Sequence, residues 1–322
     1  SLNYENSAIS CIQKMEMGKK RMAILVGCNY PNSPNELHGC INDVLSMHDT
    51  LASRFGFEPK NIEVLTDAPD SLVMPTGANI MKALNRMIDQ AEPGDVLYFH
   101  YSGHGTRLPS KHGIWHDEAI VPCDMNLITD VDFRRLVNRL PEKSSFTIIS
   151  DSCHSGGLID KEKEQIGPSA TNSTSSLTAS CPKIIPIDNI LDHLTSLSGI
   201  QSPDIGAHLS QIFGNEASTK YLQNDVQLGL SGPIHPDSGI LLSGCQSNET
   251  SADMNPTLEE GGKAYGAFSN AIQTILKEHG TSLSNRELVT KTRELLQAQG
   301  FYQHPCLYCS DDNADAPFLC KT

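Results

Sequence analysis

Two runs in this chain share one grammar, and together they restrict the folds open to it. Ser145–Gly157 reads Ser-Phe-Thr-Ile-Ile-Ser-Asp-Ser-Cys-His-Ser-Gly-Gly, and Asp95–Gly105 reads Asp-Val-Leu-Tyr-Phe-His-Tyr-Ser-Gly-His-Gly. Each opens with β-branched, aromatic or small residues, the pattern of a short strand buried on both faces. Each then ends in a small-residue turn carrying a polar group. In an open α/β sheet the carboxyl ends of the strands are where ligands and chemistry sit. Two such strands in one sheet bring His104 and Cys153 to the same edge. A thiol becomes a useful nucleophile at neutral pH when an imidazole takes its proton. Cys153 is therefore the expected nucleophile and His104 the expected base. His154, next to the thiol, and His100, inside its strand, are the rival imidazoles, both expected to point elsewhere.

The rest of the chain alternates strand and helix patterns, which implies a mostly parallel sheet with helices on both faces. Met22–Gly27 is the first buried strand. A helix is expected from about Ile41 to Phe55, with Gly56 as its stop, and then a strand over Ile62–Thr66. Ile80, Leu84, Met87 and Ile88 fall at helical spacing. Glu118–Asp124 suggests a short strand, and Thr129-x-x-Asp132 a capping box. Gly239–Cys245 is a strand, Ala267–Glu278 a helix closed by Gly280, Ser284-x-x-Glu287 a second capping box, and His304–Cys309 the last strand. Between these patterned parts the texture changes. Lys161–Glu164 reads as a solvated charge run and residues 168–180 as a flexible linker, followed by weak helices around Asp188–Leu194 and Ile205–Phe213.

His-Tyr-Ser-Gly-His-Gly followed by Asp-Ser-Cys-His-Ser-Gly-Gly, with Gly-Cys-Asn-Tyr-Pro at Gly27–Pro31, resembles the catalytic pattern of the metacaspases. The long insert before the last third is similar to that of the type II branch of plants and algae. The resemblance runs from about Arg21 to the C-terminus. It implies the caspase-like α/β fold, a mostly parallel central sheet flanked by helices, with a long linker insert. On that scheme residues 1–20 are an extension outside the fold, 21–160 the larger catalytic region, 161–237 the insert and 238–322 the smaller region that completes the sheet. It also implies a cysteine endopeptidase made as a zymogen and matured by cutting itself, with a role in programmed cell death or stress. The backbone N–H groups of Gly105 and Cys153 would stabilise the oxyanion.

Asp151 lies two residues before Cys153, so both side chains share a face of the strand end. An unpaired carboxylate there would attract arginine or lysine at P1, the residue preceding the cut. The family pattern extends this S1 pocket to Cys40, Asp43 and Ser102, although Asp43 by itself could be a helix N-terminal acid stabilised by the macrodipole. Lys183 fits that specificity and sits just after the flexible stretch, where proteolysis concentrates. It is the expected self-cleavage site, with Lys161 and Lys163 as competitors.

Composition narrows the partners. A net charge of −14 argues against nucleic acid and anionic membranes. No run approaches the ~20 apolar residues of a membrane span. Ten cysteines in 322 residues is not the density of a disulfide-stapled scaffold. A reducing compartment, the cytosol, is the default, with unconventional export left open, and a monomer acting on peptide or protein substrates is expected. Family resemblance implies calcium, which needs several closely spaced oxygen ligands. The loop Arg107–His116 carries no acid, and Asp130-Val131-Asp132 is broken by valine, so calcium independence and no bound metal are expected. A non-catalytic scaffold with the same fold is the alternative from another class. Cys306-x-x-Cys309 raises a third, zinc or thiol-redox chemistry, but it reads as strand rather than as the start of a helix.

Overall fold

A computed structural model describes residues 19–109, 117–153, 157–159, 163–167, 180–222, 239–245, 249–256, 262–279 and 282–319. In chain order the elements are β1 (Arg21–Gly27), α1 (Cys40–Arg54), β2 (Ile62–Thr66), α2 (Gly77–Gln90), β3 (Val96–Ser102), β4 (Gly105–Leu108), β5 (Asp117–Ile120), β6 (Ile128–Thr129), α3 (Asp130–Asn138) and β7 (Ser145–Asp151). They continue with β8 (Glu164–Ile166), β9 (Ser180–Pro182), α4 (Ile187–Ser198), α5 (Ile205–Phe213), β10 (Gly239–Ser243), β11 (Ala252–Met254), β12 (Tyr265–Gly266), α6 (Ala267–His279), α7 (Asn285–Ala298), β13 (Cys306–Tyr308) and α8 (Asp311–Asp315). The expected features at His154, Lys161 and Gly280, and most of the N-terminal extension, lie outside the described residues.

The main sheet runs β2-β1-β3-β7-β10-β13-β8. Its first five strands are parallel, and β13 lies antiparallel to β10. Alternation along each strand divides the core in two. On β3, Leu97, Phe99 and Tyr101 face the layer that holds α2 and α3, with Ile80, Leu84, Phe133 and Leu136. Val96 and Tyr98 face the layer that holds α1, α6 and α7, with Val44, Leu51, Ile272 and Leu288. Apolar residues on both faces of one strand require a helix layer on each side, as their continuous run suggests. Register then aims the chemistry. Gly27 pairs with Ser102 and Ser102 with Asp151, so the turns after β3 and β7 leave the same edge side by side.

Local chemistry sets the helix starts. Thr76 Oγ1 accepts the Asn79 N–H at 3.1 Å, Ser284 Oγ the Glu287 N–H at 3.0 Å, and the Asp132 carboxylate the Thr129 N–H at 2.9 Å. The short strands escape this kind of reading. Glu164–Ile166, which begins on the last residue of the expected charge run, is the edge strand beyond β13, although Lys163 does form an exposed ion pair with Asp311 at 2.8 Å. Two small sheets, β12-β11-β9 and β4-β5-β6, flank the carboxyl edge. The insert helices α4 and α5 bury Ile190, Leu194, Ile205 and Leu209 against Leu108, Ala119, Val121 and Leu127 of the catalytic region.

Candidate active site

His104 is held from three sides. Its N–H donates to Tyr30 Oη at 3.0 Å, its carbonyl accepts from Tyr101 Oη at 2.6 Å, and its ring lies 4.8 Å from that of Tyr30. Nε2 pairs with the Asn35 carbonyl at 2.7 Å, which makes Nε2 the protonated nitrogen. Nδ1 is left as the acceptor, buried and without a hydrogen-bond partner among the described residues. Burial pushes this imidazole down to about 4, against the pull of the Asn35 carbonyl. A neutral ring with a bare nitrogen suits a general base. Cys153 is fully buried, and its Sγ accepts the Ser251 N–H at 3.0 Å.

The space in front of the thiol holds the chain's own insert. The Lys183 carbonyl accepts two hydrogen bonds, from the Gly105 N–H at 3.0 Å and the Cys153 N–H at 3.1 Å. A side chain on Gly105 would run into the Cys153 carbonyl, so only glycine allows this approach. Before the lysine, β9 pairs antiparallel with β11, and the Lys183 N–H donates to the Ser251 carbonyl at 2.9 Å. After it, the Ile185 N–H donates to the Gly105 carbonyl at 3.1 Å. The segment therefore crosses the site as an extended strand.

The Lys183 side chain ends among the four residues expected to form the pocket. Its Nζ lies 2.8 Å from Ser102 Oγ, 3.1 Å from Asp151 Oδ1 and 3.6 Å from Asp43 Oδ2. Cys40 is close enough that the ammonium pulls its thiol down, although burial raises it further. Ser102 donates to Asp43 Oδ2 at 2.7 Å, the Gly266 N–H to Asp43 Oδ1 at 2.9 Å, and the Ser269 N–H to Asp151 Oδ2 at 2.9 Å. A Cβ on Gly266 would collide with both carboxylates and the ammonium, so its bare backbone forms one wall. Burial raises the Asp43 carboxyl, the Lys183 ammonium pulls it back, and Asp151 adds to the rise. Burial alone would lower the Lys183 pKa, but Asp151, Cys40 and Asp43 reverse that and hold the ammonium charged. Hydrogen bonds from Ser102, Gly266 and Ser269 to the two carboxylates help such a buried ion triad to be tolerated, while among the described residues Asp151 Oδ1 faces the ammonium alone.

One expectation needs correcting. The sequence sets Lys183 in accessible, flexible chain, whereas its side chain is 0% exposed. The reason is electrostatic: two buried carboxylates offer the ammonium a better seat than water. His100 also proves structural. Its nitrogens pair with Tyr98 Oη at 2.7 Å and Ser269 Oγ at 2.9 Å, and burial lowers it to about 4. Cys306 lies in a strand as expected, and the eight cysteines among the described residues are free thiols.

Sequence reasoning missed Asn35, Ser251 and Asp253. The first two act through backbone groups that every residue carries. Asp253, on β11, accepts the N–H groups of His38 and Gly39 at 2.8 Å each and so ties the strand beside β9 to the start of α1. Its sequence context, Ser-Ala-Asp-Met-Asn, bears no catalytic signature.

The acids after the catalytic loop have partners within the chain. Lys220 Nζ pairs with Asp117 and lies 3.2 Å from Asp130 Oδ1. The Asp132 carboxylate receives the Ser218 hydroxyl at 2.7 Å and both the N–H and the hydroxyl of Thr219. These oxygens already serve an internal cation and helix-start donors. Among the described residues no group of three or more His, Cys, Asp and Glu side chains is placed to hold a metal, and no helix is long and apolar enough to cross a membrane.

The family model described as the caspase domain matches residues 20–316. Metacaspase-9 of Arabidopsis thaliana is 58% identical over 94% of this chain and 98% of its own length. Metacaspase-6 of the same plant is 39% identical over 94% of this chain and all of its own. Among solved structures, a Geobacter sulfurreducens protein superposes with a TM-score of 0.60 at 17% identity, over 94% of this chain and 99% of that one, a likeness of fold alone.

Proposed function

The chain belongs to the metacaspases, cysteine peptidases of the caspase-domain family, and from that premise we propose that it cleaves after arginine or lysine and that its first substrate is its own Lys183–Ile184 bond. One observation carries the reading. The Lys183 carbonyl lies on the N–H groups of Gly105 and Cys153 while its ammonium lies between Asp43 and Asp151.

In the proposed reaction His104 Nδ1 takes the thiol proton, and Cys153 Sγ attacks the Lys183 carbonyl carbon. The carbonyl oxygen becomes an oxyanion on the two N–H groups that already hold it. Collapse breaks the Lys183–Ile184 bond, and the Ile184 nitrogen leaves with the proton from His104. The thioester is then hydrolysed by water, with His104 as base, which restores the thiol and frees the Lys183 carboxylate. The carbonyl of Asn35 keeps the imidazole in the tautomer this requires. For other substrates, arginine or lysine at P1 would take the seat of Lys183 among Cys40, Asp43, Ser102 and Asp151.

The same proposal includes calcium independence, supported by the commitment of Asp117, Asp130 and Asp132 to Lys220 and to helix-start donors. It also includes action as a monomer, since nucleophile, base and pocket come from one chain, and a cytosolic setting, which free thiols suit. A short fluorogenic peptide ending in arginine tests it, assayed in EGTA and in millimolar calcium beside Cys153→Ala. Hydrolysis in EGTA that falls at least ~1000-fold in the variant is expected. Hydrolysis only with calcium would remove the metal-free part, and none in either buffer would favour a scaffold.

A further inference from the structure

Ile185 is a second inward anchor, on the far side of the bond from Lys183. Residues two apart on an extended strand share a face. Lys183 and Ile185 are both fully buried, whereas Ile184 between them is partly exposed and Pro182 is exposed. The backbone fixes the register: the Ile185 N–H donates to the Gly105 carbonyl at 3.1 Å, and Ile184 forms a parallel bridge with Gly105. Gly105 thus holds the chain on both sides of the bond, through its N–H to Lys183 and its carbonyl to Ile185.

The Ile185 side chain belongs to the apolar cluster of Leu108, Ala119, Val121 and Leu127 from the catalytic region and Ile190 and Leu194 from α4. Resting on the reading that Lys183–Ile184 is the bond cut, we propose that this cluster is a binding subsite for the second residue after the cut, and that it selects a branched aliphatic side chain there. A hydroxyl or carboxylate placed among these carbons would lose its water without a designed partner. Specificity would then come from two points of opposite chemistry: a charge before the bond and an aliphatic group after it.

Cutting makes Ile184 a chain terminus, and short free ends fray from their seats. Ile190, Leu194, Ile205 and Leu209 keep the helices in place, so the walls of the pocket persist while its first occupant gives way. An incoming substrate then seats its own second residue in the same position.

Internally quenched peptides with arginine before the cut, identical except at the second residue after it, test this on the matured enzyme. Isoleucine, valine or leucine there should raise kcat/KM by at least ~10-fold over serine or glycine, with aspartate lowest, the size expected of an apolar pocket. A second substrate carries only a fluorophore after the arginine, so it lacks the residue in question. If it is cleaved and the peptide series shows equal rates, the subsite is wrong and the protease reading stands. If neither the series nor the fluorophore substrate is cleaved, the underlying reading falls, and the subsite with it.

Discussion

The two arms of the segment that crosses the site are held by different forces. Upstream of the bond, β9 is attached by backbone pairing to β11 and by one side chain, Lys183, while Cys181 and Pro182 are exposed. Downstream, Ile190, Leu194, Ile205 and Leu209 hold their helices in an apolar cluster that also takes in Ile185, the first occupant of its pocket. The upstream grip depends on charge and main-chain hydrogen bonds, which any peptide with a basic P1 residue can reproduce. The downstream grip depends on burial, which is not directional and scales with area. The first is built to be exchanged and the second to persist. The proposed self-cleavage needs both, since its product must leave the pocket without unravelling the fold.

The largest effect should come from removing the upstream anchor. Lys183→Ala strips the ammonium from two buried carboxylates and should slow cleavage of the 183–184 bond by ~30- to 5000-fold, in line with ~2–5 kcal/mol for one partner of a buried charge pair. Lys183→Arg should stay within a few-fold of the parent. Time courses on denaturing gels read both, and an unchanged pattern for the alanine variant would separate Lys183 from the self-cleavage event.

A smaller effect is expected downstream. After cleavage, the fragment beginning at Ile184 should co-elute with the catalytic region on native gel filtration and part from it only in denaturant. Leu209→Ala should weaken that association by about 2–3 kcal/mol through lost burial and a residual cavity, seen as faster amide exchange across 187–213. Dissociation of the parent fragments under native conditions would reverse the contrast between the arms.

The smallest and most graded prediction concerns pH. Burial lowers His104 from 6.5 to about 4. A lowered imidazole pKa means the neutral, proton-accepting form survives acidification through 6.5 and is lost only near 4. Self-cleavage should therefore keep its base down to about pH 5 and fall off near 4. With short peptides on the opened enzyme, where His104 meets water, the limb should move up towards 6.5. Zymogen whose thiol is capped as a mixed disulfide, then released with a phosphine at each pH, supplies the rates. Coincident limbs for the two reactions would show that the segment does not control the imidazole.

Much of this was legible from the chain. The buried strands, the capping box at Thr129, the N-cap at Ser284 and the placement of His104 and Cys153 on one edge follow from local signals, and the grouping of Asp43, Ser102 and Asp151 from the family resemblance. Three-residue strands such as β8, β9 and β11 were not legible, because two side chains per face are too few to form a pattern. Nor was the burial of Lys183, which a polar neighbourhood disguised as surface.

What the sequence determined by itself was the set of elements and reactive groups, because hydrophobic period, turn residues and caps act over short distances. Tertiary structure alone decided which strand lies across the thiol, that Asn35 and Ser251 serve through their backbones, and that Lys183 and Ile185 face inward on either side of one bond. Every residue carries the same N–H and C=O, so their use at long range leaves no mark on the sequence. Only packing selects which of them meet.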